Sequence, residues 1–91
     1  MKYTFQEANS SLKIEDFSKK FEKYEFFSEL KDYKKGPNSV QFEVSGKKGK
    51  VTLQFGELEV TVGNKTIKTI NVDQGIGQDE VDAVVDALKK V

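Results

Sequence analysis

The sequence contains no cysteine, no histidine, no arginine and no tryptophan, and it has a single proline. Without cysteine there is no disulfide, no thiolate nucleophile and no sulfur-ligated zinc or iron–sulfur centre. Without histidine there is no imidazole base or ligand, which removes Ser-His-Asp and Cys-His catalysis. Without arginine, no side chain can grip a phosphate or carboxylate with a bidentate fork. No apolar run approaches the length of a membrane span. Residues 1–7 lack the continuous apolar stretch of a signal peptide. A cysteine-free chain with neither segment is expected in the cytoplasm.

What remains is a chain of 91 residues, the size of one domain, with 36% hydrophobic and 33% charged residues. Fifteen lysines balance fifteen acids. The balance is uneven along the chain: residues 1–33 sum to −1, 34–68 to +4 and 69–91 to −3. Fields from such small sums are modest and screened by salt.

The clearest pattern lies in the middle. Val40, Phe42 and Val44 alternate with polar residues, as do Val51, Leu53 and Phe55, and then Leu58, Val60 and Val62. A period of two marks strands with one wet face. Gly56-Glu57 suits a two-residue turn pairing Phe55 with Leu58 and Leu53 with Val60. Gly46-Lys47-Lys48-Gly49 reads as a loop pairing Val44 with Val51. All nine apolar residues then share one face of an antiparallel meander, with strands expected over 39–45, 50–55 and 58–63. Thr66 to Val72 reads as a fourth strand over 66–72, in which Ile67 and Ile70 are out of phase, the mark of a bulge. Tyr3-Thr4-Phe5 reads as a short edge strand.

Helices must cover that face. Val81, Val84, Val85 and Leu88 follow the i, i+3, i+4, i+7 rule. Acids crowd the first turn of that segment and Lys89 and Lys90 the last, matching the helix dipole. The spacing predicts a C-terminal helix over 78–90, capped by Gly77 or Asp79. Ile14, Phe17, Phe21 and Tyr24 predict an N-terminal helix over 14–24. The phase breaks after Tyr24, so residues 24–33 are either a short second helix or an extended strand, with composition tipping toward helix. The expectation is a single two-layer α+β domain: a three- to four-stranded antiparallel meander against two helices.

The chemistry-bearing motifs dissolve on inspection. Gly75-Ile76-Gly77 precedes a helix, but the third glycine of a dinucleotide fingerprint is replaced by Glu80, and no Lys-Ser/Thr follows. The Asp73 loop lacks the ligands of a calcium-binding hand. Glu57 and Glu59 lie on a solvent face, where nothing raises a carboxyl into an acid's working range. No catalytic, cofactor or metal site is expected. The order helix–strand–strand–strand–helix, with Gly36-Pro37 ahead of a strand, is similar to the double-stranded-RNA-binding fold. That fold places basic residues at the start of its last helix, where this chain has Gln78, Asp79, Glu80 and Asp82, a charge reversal that argues against duplex binding.

Two surfaces are candidates. Eight of ten aromatics fall within residues 1–33, and Phe26, Phe27 and Tyr33 exceed what one helix stripe needs. They either cap a second side of the core or form a patch for another protein or a second copy of the chain. Lys47, Lys48, Lys50 and Lys65, with Lys68 beside them, gather at one end of the sheet. They are either solvated hairpin tips or a rim for nucleic acid or another polyanion. The leading expectation is a non-catalytic protein-binding or regulatory module; the alternative is a polyanion binder.

Overall fold

The computed structural model describes residues 12–91; the expected strand at Tyr3–Phe5 lies outside them. In chain order come helix α1 (Ile14–Phe21), a 3-10 helix (Glu25–Glu29), strands β1 (Lys31–Lys35), β2 (Ser39–Val44), β3 (Lys47–Gln54), β4 (Glu57–Val62) and β5 (Lys65–Asn71), and helix α2 (Gln78–Lys89). The five strands form one antiparallel sheet in chain order. The α+β architecture is the expected one, with one strand more than the three or four anticipated. Five strands between the helices also separate it from the three-strand order of the RNA-binding fold.

The extra strand comes from the segment where the helical phase broke. Helix α1 stops at Phe21, short of the expected Tyr24, as Lys23 and Tyr24 bond back three residues to Lys20 and Phe21. Residues 25–29 then make one 3-10 turn, and the chain extends into β1. Both expected alternatives for 24–33 are thus realised, one after the other. The tighter turn re-aims the chain so that Phe26 from the 3-10 helix and Tyr33 from β1 both reach the core.

The inner face of the sheet carries Val40, Phe42, Val44, Val51, Leu53, Leu58, Val60 and Val62, all buried. Ile14, Phe17 and Phe21 of α1 and Val81, Val84, Val85 and Leu88 of α2 close over it in one cluster. Val72 and Ile76, from the connection between β5 and α2, join them. Gly77 caps α2, and its amide donates to the Glu80 carboxylate at 2.8 Å. The outer face is polar throughout the central strands, with Gln41, Lys48, Lys50 and Gln54 exposed.

Register differs from the expected pairing by an even number of residues, so the faces are kept while the turns move. Leu53 pairs with Leu58 and Val51 with Val60. Val40, not Val44, pairs with Val51. Three of the four hairpins turn on Ser45-Gly46, Phe55-Gly56 and Gly63-Asn64, and all six residues have positive φ. That is the type I′ pair, whose twist matches the strands. Phe55 is therefore a turn residue, not the ninth inner-face residue. It is 94% exposed, with φ at 52°, a backbone region that an aromatic residue rarely enters. The Phe55→Asn variant is expected to be about 1 kcal/mol more stable, because asparagine tolerates this region and little packing is lost. Paired thermal melts would show the gain as a rise of about 5 °C.

The two sheet edges differ. In β1 the register shifts between Lys31 and Lys34, and Asp32 has φ at 54°. Such a bulge blunts an edge. In β5 the expected bulge is present: Val60 pairs with Lys68 but Thr61 with Thr66, leaving Ile67 as the extra residue.

Candidate functional site

The register decides where each lysine points. Lys47 pairs with inward Val44, and Lys65 with inward Val62. Lys68 pairs with inward Val60. These three lysines share the sheet face that the helices cover, at the margin where α2 leaves it open. Lys48 and Lys50 pair with Glu43 and Gln41 on the opposite face. The four-lysine rim read from the sequence is thus brought to one end of the sheet but divided between its two faces. The two-residue turn at Ser45-Gly46 is the cause, since it draws Lys47 and Lys48 into β3, where alternation parts them.

On the helix side a groove of about 880 Å³ runs between the C-terminal half of α2 and strands β4 and β5. Its floor is apolar: Val62, Ala83 and Ala87, with Ile67 and Val91 at its sides. Ala83 and Ala87 stand one turn apart on α2, and their small side chains leave the space between helix and strand unfilled. Ile67 and Val91 are 38% and 36% exposed, among the few large apolar residues facing solvent. Four lysines ring this floor, Lys47, Lys65 and Lys68 from the sheet and Lys90 from the end of α2, and among the described residues Asp86 is the one acidic side chain in the lining. None of the four forms an ion pair with a described residue; Lys35–Glu22, at 3.1 Å, does. Sequence reading missed this groove. The signal present was the Ala83/Ala87 spacing beside the Val84/Leu88 stripe, together with lysines at inward phase on β5.

Phe26, Phe27 and Tyr33 belong to the second side of the core. Phe26 is 8% exposed, and Phe27 and Tyr33 are half-buried. Phe27 meets Phe21 edge-on with ring centres 5.7 Å apart, and Tyr33 at 4.6 Å. The geometry therefore places them in packing rather than in an exposed patch.

Tyr33 donates a hydrogen bond to the Glu22 carboxylate at 3.0 Å, which Lys35 also contacts. Burial, then that bond, holds the Tyr33 phenol well above the ordinary tyrosine range. The folded chain thus keeps a proton that the unfolded chain releases near pH 10. This contribution is complete below that pH and fades as pH rises through the folded value. Tyr33→Phe is expected to lose about 1 kcal/mol at neutral pH and to show a shallower fall in melting temperature on the alkaline side. Melts across that range read both effects. Tyr24 donates to Asp82 and accepts from Gln78, joining the segment after α1 to the start of α2. Its phenol is also raised, through burial and then the bond to Asp82.

No protein-family model, curated protein or solved structure matches the chain. Among the described residues no group of three or more acidic residues is placed to hold a metal ion, and no helix is long and apolar enough to cross a membrane.

Proposed function

We propose that the protein is a small non-catalytic module that binds another protein, and that it does so through the groove between α2 and β5. The observation behind this reading is the coincidence, around one concavity, of exposed apolar residues with lysines that form no ion pair among the described residues. Lysine on an edge strand protects against strand addition, which accounts for Lys65 and Lys68 on their own. It does not account for Ile67 and Val91 standing partly in water beside them, or for the small residues of α2 facing them. Exposed apolar side chains rimmed by polar ones mark interaction sites. Phe27 and Tyr33 pack with Phe21 at the β1 side of the sheet, the far edge from this groove, and none of Phe26, Phe27 and Tyr33 lines it.

The rival reading, a polyanion binder using Lys47, Lys48, Lys50 and Lys65, draws support from the shared end of the two hairpins. It requires a ligand that wraps the Ser45-Gly46 turn to reach both faces.

Peptide-display selection on the immobilised full chain, counter-selected on Ala87→Trp, tests the proposal. Peptides that bind the native chain and are lost on the variant are expected, with melts confirming that the variant folds. Ile67→Ser serves as a second blocked surface if it does not. Binders indifferent to both substitutions, or no enrichment, overturn the proposal. Oligonucleotide retention that disappears on Lys48→Glu with Lys50→Glu favours the rival.

A further inference from the structure

The groove is polarised along its length. Strand β5 runs away from the Gly63-Asn64 turn and α2 runs back toward it, so Lys65 and Lys90 meet at one end, with Lys47 across from them. The last turn of α2 carries the negative end of its dipole, which does not by itself attract an anion; the lysines must do so. Farther along lie Ala83 and Ile67, with Lys68 as the one cation there. The wall residues Lys47, Lys65, Lys68 and Lys90 are all exposed, so the groove is open to solvent along its length. An open, elongated trough suits a segment of polypeptide better than a small ligand, which is normally enclosed on most sides.

Resting on the reading of the groove as a protein-binding surface, we infer that its occupant is an acidic segment of a partner protein. In it, one aliphatic or aromatic side chain sits over Ala83 and Ala87, and carboxylates beside that anchor face Lys65 and Lys90. Charge complementarity is the reason: four cations against Asp86 leave a surplus that a neutral or basic segment would not satisfy. The anchor supplies the buried area, and the carboxylates supply orientation and partner choice.

The test uses fluorescence anisotropy of the full chain with labelled synthetic peptides. One carries Leu-Phe flanked by glutamates. A second replaces the glutamates by lysine, and a third keeps them but replaces Leu-Phe by serine. The first is expected to bind roughly tenfold or more tightly than either of the others. Lys65→Glu with Lys90→Glu is expected to weaken it by a similar factor and to favour the second peptide instead; both positions are exposed, and a melt checks the fold. Equal binding of the first and third peptides overturns the inference, because attraction then needs no anchor. Binding unaffected by the charge reversal, or no binding of the first peptide, also overturns it. If display yields groove-dependent peptides without acids, this inference fails while the protein-binding reading stands. If display yields no groove-dependent peptide, that reading fails first.

Discussion

Truncating Phe21 to alanine is expected to cost about 4 kcal/mol, a large share of the whole stability of a chain this size. Phe21 is fully buried. Its ring stacks on Phe17 at 4.8 Å and lies 5.8 Å from Phe42, 5.7 Å from Phe27 and 6.4 Å from Tyr33. It is thus shared by α1, the 3-10 helix, β1 and β2, and no single neighbour can move in to fill its place. The cavity would be bounded by rings on several sides, the condition under which collapse is least effective. Urea titration followed by circular dichroism measures the loss, which corresponds to a fall of about 20 °C in melting temperature. Phe21→Leu should recover more than half of it. A loss below about 1 kcal/mol for alanine would mean that the ring is not enclosed as described.

The second large effect concerns Gly49. By strand propensity alone, replacing a glycine inside β3 with valine should stabilise the protein. Packing gives the opposite sign. Gly49 sits opposite Phe42 in the ladder, and a Cβ there would come within 2.9 Å of the ring's Cδ1. The ring lies in the space that a side chain would need. Gly49→Val is therefore expected to destabilise by about 2 kcal/mol through overpacking. Adding Phe42→Leu to Gly49→Val should return part of that loss, so the double-mutant cycle has a coupling term that relieves the clash. A Gly49→Val protein more stable than the parent in denaturant would refute the account.

Gly49 also explains what could and could not be read in advance. Alternation along Val40–Val44, Val51–Leu53 and Leu58–Val62 names the buried face correctly, because burial acts on every second residue whatever the turn. The turn positions do not follow from alternation, because Gly46 and Gly49 look alike in sequence. One supplies positive φ at the hairpin, while the other makes room for Phe42. Phe55 continues the inward phase of Val51 and Leu53, so nothing local distinguishes it from a buried strand residue. Only the twist preference of the type I′ turn removes it to the tip. The helix over 78–89 was legible because its apolar stripe, cap and dipole-matched charges all agree. The segment 24–33 was not, since its outcome depends on tertiary contacts of Phe26 and Tyr33. Composition leaves the aromatic trio as either core or patch and cannot separate the two. The lysine rim was legible in its place at one end of the sheet but not in its facing, because one shift in turn position sends Lys47 and Lys48 to opposite faces. The groove needed Ala83, Ala87 and Lys90 from a helix more than fifteen residues beyond β4, a juxtaposition that no local pattern carries.

Because each strand bonds only to its neighbours in sequence, the chain closes few long loops on its way to the native state. Ordering can spread from one hairpin to the next, each new strand finding its template already in place. Only the docking of the two helices joins distant parts of the chain, and short closures are the fast ones. The meander should therefore be assembled before α2 settles onto it. The groove beside that helix would then be the last surface to exist as the protein folds and the first to vanish as it opens.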